Sequence, residues 1–103
     1  MVVSTKSSLF SLIAGNESLI RELGVQRIGV FGSFARNEQS DESDVDVIVE
    51  FMPNKKSFDS FMKLSDFLEE LAGRKVDVVT RESLSPFIGP HILREVEYVP
   101  LSN

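Results

Sequence analysis

The stretch Gly32–Val49, GSFARNEQSDESDVDVIV, sets a Gly-Ser pair, a polar loop and two aspartates, one residue apart, at the mouth of an apolar run. Just before it, Arg27-Ile28-Gly29-Val30-Phe31 reads as a strand leading straight into Gly32-Ser33. Ser33 to Arg36 can form a short helix, and Asn37 to Ser43 is loop by composition. Val45 to Phe51 is a second strand, stopped by Met52-Pro53-Asn54. The chain therefore drives two like charges toward the edge of its own core, which needs a physical reason.

Farther out, the pattern is regular. Leu9, Phe10, Leu12 and Ile13 suggest a helix ending at Gly15, and Asn16 can cap a second one carrying Leu19, Ile20 and Leu23, stopped by Gly24. Downstream, Phe58, Phe61, Met62, Leu64, Phe67, Leu68 and Leu71 fall at helical spacing, with Ser57 as N-cap and Gly73 just past the end. Lys75 to Thr80 is a third strand. Ser85-Pro86 can start a last helix, which Gly89-Pro90 breaks or restarts before His91, Ile92, Leu93 and Arg94. The expected order is helix, strand, strand, helix, strand, helix. At 103 residues the chain is too short for three layers. The expected class is α/β (α+β), helices on a small mixed sheet, as a single domain over residues 1–103.

Composition narrows the function. Sixteen acidic against eleven basic residues give a net charge of -5, which argues against a protein that lives on nucleic-acid phosphates. There is no cysteine, so disulfides and thiolate metal sites are excluded. No apolar run approaches the roughly 20 residues of a membrane span. The start, MVVSTKSS, lacks the apolar core of a signal peptide, so the expectation is a cytoplasmic protein with no membrane contact.

Side chains two apart on a strand share a face, so Asp44 and Asp46 project together at the start of the second strand. Asp77 stands near the start of the third strand, in KVDVVT. Taken alone, a DxD pair is equally at home at a solvated strand end or turn, and Asp77 as an edge charge that blunts pairing. If the two strands are neighbours, three carboxylates converge. Unit charges about 4 Å apart repel by roughly 4 kcal/mol at an effective dielectric near 20. Without a cation, such a cluster raises its pKa values or costs stability. Oxygen-only ligands favour Mg²⁺ or Mn²⁺, and magnesium usually shares itself with substrate phosphates. That points to phosphoryl or nucleotidyl chemistry with two metal ions. Gly32-Ser33 is weak as a motif, but a strand turning into a helix at a glycine lets backbone N–H groups approach a phosphate, and Ser33 Oγ adds a donor. Ten residues separate Ser33 from Asp44, enough for a loop that returns beside the first strand.

Gly32-Ser33, ten residues and then Asp44-Val45-Asp46 resemble the GS-x10-DxD signature of DNA polymerase beta-like nucleotidyltransferases. The wider GSFARNEQSDESDVDVIVEF, the third acid in KVDVVT and the short chain are similar to the minimal nucleotidyltransferase (MNT) family. The resemblance implies the polymerase beta-like fold, with ATP and two Mg²⁺ at the strand ends. Asp44 and Asp46 would hold both metals. Asp77 would bind the one that activates the acceptor hydroxyl, and Gly32 and Ser33 the β- and γ-phosphates. Members often carry glycine where this chain has Asn37, which implies a positive φ that asparagine also tolerates.

Arg36 either contacts a phosphate or pairs with Glu38 or a strand-end acid. His91 and Arg94 lie one helical turn apart and either reach the cleft or are a partly buried histidine and a surface arginine. Phe58, Phe61 and Phe67 read as a core face rather than a stacking platform for bases. Tyr98, the one tyrosine, is kept as a candidate modification site.

The resemblance also implies a partner. Small MNT proteins are typically encoded beside a HEPN-domain ribonuclease toxin, which they silence by transferring AMP to a tyrosine near its active site. Such a chain is an antitoxin and a protein adenylyltransferase. Two other readings stay open: a transferase subunit for a small-molecule or nucleic-acid acceptor, and a steric antitoxin that uses nucleotide only as a structural ligand.

Overall fold

The computed structural model describes residues 2–101. The chain order is α1 (Lys6–Gly15), α2 (Glu17–Glu22), β1 (Val25–Phe31), α3 (Gly32–Ala35), β2 (Val45–Phe51), α4 (Phe58–Ala72), β3 (Val76–Thr80), a 3₁₀ turn (Arg81–Ser83), α5 (Gly89–Glu95) and β4 (Glu97–Tyr98). The four strands form one mixed sheet in the order β3-β2-β1-β4. β1 is antiparallel to β2 and to β4, and β2 is parallel to β3. A parallel pair needs a crossover connection, which α4 supplies.

The strand alternation decides which face is the core. Val45, Val47 and Val49 of β2 pack in one cluster with Ile28 and Val30 of β1 and Val76 of β3. Leu9 and Ile13 of α1, Ile20 of α2, and Leu64, Leu68 and Ala72 of α4 close over that face. A bulge between Val25 and Arg27 brings Val25 back into phase with it. Asp46, Ile48 and Glu50 therefore point to the opposite face. Ile48 is fully buried there, outside the main cluster.

Helix punctuation follows local chemistry. Thr5 and Ser57 cap α1 and α4 by accepting from the backbone N–H of Ser8 and Ser60. Gly73, with φ 69°, ends α4 in the left-handed conformation that glycine tolerates. Asn16 makes no side-chain cap for α2; its amide donates instead to the Leu12 carbonyl one turn back. The last helix begins at Gly89 rather than at Ser85-Pro86, because Ser85 closes a turn by accepting from Ile88 N–H through its hydroxyl and from Gly89 N–H through its carbonyl.

Phe58 is 79% exposed and is not part of the core. It stands one residue past the N-cap, six residues before Leu64, the first of the buried stripe Leu64, Leu68, Ala72, which has Phe67 packed beside it. Strand β4, two residues long, is too short to carry a period in the sequence. Among the described residues, no helix is long and apolar enough to cross a membrane.

Candidate functional site

Because β2 and β3 are parallel and β1 is antiparallel to β2, the end of β1 and the starts of β2 and β3 share one edge of the sheet. Phe31, Asp46 and Asp77 form a single row across it, since Phe31 pairs with Asp46 and Asp46 with Asp77. Asp44 precedes β2 at the same edge, and Gly32-Ser33 follows β1 there. The structure thus brings Asp44, Asp46, Asp77, Gly32 and Ser33 together.

The electrostatics match that crowding. Asp46 is raised to about 6, first by burial and then by the charges of Asp77, Asp44 and Glu95, with Arg36 opposing. The Lys75 ammonium lies 3.8 Å from Asp44 Oδ2 and 3.8 Å from Asp77 Oδ1, between the two carboxylates. Lys75 is exposed, so these long ion pairs contribute little to stability, but they mark where a cation is favoured.

The donor set at this edge is oxygen only, the kind that suits Mg²⁺. Among the described residues, no three acids stand close enough to cage an ion by themselves. Such an open set fits a hard cation that completes its shell with water and phosphate oxygens. It does not fit a closed structural site.

Gly32 has φ 73°, and a Cβ built on it would run into the Asp46 carboxylate. The glycine is needed for two reasons at once: the turn out of β1, and the space that Asp46 occupies. The helix it opens, α3, is a single turn, so any pull on an anion there comes from individual N–H groups more than from a macrodipole.

Two residues absent from the sequence reading complete the edge. Glu95, the last residue of α5, accepts from Gly32 N–H at 3.0 Å through Oε1 and from Arg36 Nη1 at 2.9 Å through Oε2. Arg36 also donates from Nε to Glu38 at 2.8 Å, so it is held by acids on both sides. On the same helix, His91 and Arg94 do not reach the row of acids: Arg94 is the surface arginine expected, and His91 is exposed rather than partly buried. Those two are exposed and bond to each other at 3.2 Å, while Glu95 turns inward.

Arg74 is the second. Its guanidinium donates to the carbonyls of Ser43, Ser40 and Val3 and lies 5.0 Å above the Phe34 ring. It thereby ties the loop that delivers Asp44 to the end of α4. Asn37, at the start of that loop, has φ 58°, the left-handed conformation expected of it. Tyr98 lies away from the row of acids, donating to Glu50 Oε2 at 3.2 Å under the Arg27 guanidinium.

Comparison with known proteins places this edge in context. Residues 15–99 match the model of the nucleotidyltransferase domain. The protein adenylyltransferase MntA of Thermococcus cleftensis is 40% identical over 100 residues, covering 96% of this chain and 100% of its own. A solved minimal nucleotidyltransferase superposes with a TM-score of 0.78 at 33% identity, over 95% of this chain and 97% of that one. A crystal structure of a toxin–antitoxin with AMP-PNP shares the fold, with a TM-score of 0.71 at 21% identity over 91% of this chain and 74% of that one. The chain belongs to the nucleotidyltransferase domain family, as one of its minimal, MntA-like enzymes.

Proposed function

We propose that this protein transfers AMP from ATP to a tyrosine of a HEPN-type ribonuclease toxin and thereby acts as its antitoxin. The observation that carries the reading is the row of acids facing Gly32-Ser33 on one sheet edge, within a chain that a protein adenylyltransferase matches over 96% of its residues. The toxin–antitoxin structure of the same fold, with its bound AMP-PNP, supports both the partner and the nucleotide. The same reading includes ATP as donor, a pair of Mg²⁺ ions, a cytoplasmic setting and one domain over residues 1–103.

In this reading each residue has a definite task. Gly32 N–H and Ser33 Oγ bind the terminal phosphates and so orient the α-phosphorus toward the acceptor. Asp44, Asp46 and Asp77 would hold the metal ions, with water and phosphate oxygens completing the shell. When bound, the ions would supply charge neutralisation and would lower the pKa of the acceptor hydroxyl. Asp77 also serves as the base that takes the tyrosine proton. The oxygen of the acceptor forms a bond to the α-phosphorus as the bond to the bridging oxygen breaks, and pyrophosphate leaves. Arg36 balances negative charge beside the phosphates.

The test is direct. The purified protein is incubated with its HEPN partner, Mg²⁺ and ATP labelled at the α-phosphate, with an Asp44→Ala/Asp46→Ala variant alongside. Label on a partner tyrosine, absent with the variant, is the expected result. A partner that binds tightly and stays unlabelled would leave a steric inhibitor and overturn the enzymatic reading.

A further inference from the structure

Gly32 is buried, and a buried backbone N–H needs a partner. Here the partner is not backbone but a carboxylate 63 residues away, Glu95 on the last turn of α5. Its second oxygen takes the Arg36 guanidinium. One backbone N–H and one guanidinium, each on a separate oxygen of one anion, are the donor types that bind a phosphate. Glu95 therefore sits where the donors of a phosphate site converge.

Its charge is the informative feature. The same edge already holds Asp44, Asp46 and Asp77, and a further carboxylate adds repulsion. A glutamine could accept from Gly32 N–H as well and would not repel its neighbours. What only the carboxylate can do is hold Arg36 and Gly32 N–H together as an anion does.

Building on the reading of Gly32-Ser33 as the phosphate site, we infer that Glu95 is an internal stand-in for the nucleotide's phosphate. It keeps the Gly32 N–H and the Arg36 guanidinium satisfied and aimed in the free protein. It releases them to an incoming polyphosphate, and so it weakens nucleotide affinity and is a positioning residue for the cradle. A polyphosphate must displace it, whereas a nucleoside without phosphates need not.

The experiment is a calorimetric titration of wild type, Glu95→Gln and Glu95→Ala with three probes: inorganic tripolyphosphate, Mg²⁺-ATP and adenosine. Circular dichroism verifies the fold of each variant. Both variants should bind tripolyphosphate and Mg²⁺-ATP about fivefold or more tighter than wild type, with adenosine unchanged. In wild type, tripolyphosphate should also shift the Gly32 amide and the Arg36 Nε–H resonances, a readout that does not depend on the variants folding. Wild type that binds polyphosphate while the variants bind it equally or more weakly would make Glu95 a plain structural clasp and overturn the inference alone. No binding of tripolyphosphate or Mg²⁺-ATP by any of the three would overturn the phosphate site itself, and the inference with it.

Discussion

Asp46 and Asp77 are register partners on adjacent parallel strands, and both side chains rise from the sheet face opposite the main core. Like charges placed this way are a standing cost to the free protein and a convenience to a cation. Asp77→Asn should therefore act twice. Label transfer from ATP should fall by about 10²–10³-fold, the scale for loss of a preorganised charge partner. The Asp46 carboxyl, relieved of one of the charges that raise it, should titrate lower than about 6 in a ¹³C-detected NMR titration of metal-free protein. An Asp46 pKa unmoved by Asp77→Asn would show that the two carboxylates do not sense each other.

The same crowding sets a pH dependence of stability. In the native state Asp46 is raised from 3.8 to about 6, so between those values the folded protein binds more protons than the unfolded chain. Stability then falls as pH rises through that window, and the loss is complete above it. Asp46 is only half-buried, so water screens much of the effect, and about 1 kcal/mol is the expected size. Asp46→Asn removes the titration. Metal-free Asp46→Asn should be more stable than wild type at pH 7 by about that amount, a rise of about 4–8 °C in Tm for a chain of this size. The difference should disappear near pH 4. Thermal melts across pH 4–8 test it, and identical pH profiles for the two proteins would refute it.

Gly32 gives a sharper contrast. Its φ of 73° and the position of the Asp46 carboxylate both oppose a side chain. Gly32→Ala should cost about 1–3 kcal/mol and abolish transfer, through displacement of Asp46. Gly15, at the end of α1, has no positive φ and nothing within 4 Å of a built Cβ. Gly15→Ala should be neutral or stabilising by up to about 1 kcal/mol, with activity intact. Denaturant melts of the two variants together separate a site-specific glycine from a permissive one.

Much of this was legible in the sequence because it is local. Apolar periodicity placed three strands and α4, and cap chemistry at Ser57 and Gly73 bounded α4 closely. The spacing of Gly32-Ser33, Asp44-Val45-Asp46 and Asp77 placed the acids, since strand alternation and one parallel pairing are enough to converge them. What escaped depends on tertiary contacts with no local signature. Glu95 and Arg74 carry no motif, and each meets its partners across dozens of residues, 63 for Glu95 to Gly32 and 71 for Arg74 to Val3. The Phe58 error has a related cause: helical spacing identifies a face, but not where along its length the helix meets the sheet.

Arg74 supplies the last prediction, because it ties the C-terminal half of the loop before Asp44 to the end of α4, while Gln39 Nε2 anchors the loop's first half to the Ser4 carbonyl. Ser40, Asp41 and Glu42 are exposed, and the bonds of this half of the loop besides those to Arg74 are internal, among Ser40, Glu42 and Ser43. The Arg74 fork reaches over this loop to take the carbonyls of Ser40 and Ser43 while a third donor holds Val3 on the N-terminal segment. Lysine carries the charge but has no planar fork, so it cannot serve these carbonyls together. Arg74→Lys should thus lose more than a single neutral hydrogen bond, on the order of 1.5–3 kcal/mol. The damage should be local as well as global. Hydrogen exchange at the amides of Ser40, Glu42 and Ser43 should speed up more than at the amides of β2. If Asp44 holds metal as proposed, Mg²⁺ should bind more weakly to the variant, because Asp44 would no longer be delivered to a fixed place. If the loop amides exchange no faster in Arg74→Lys than in wild type, the arginine is a surface charge and the loop is held by its own serines.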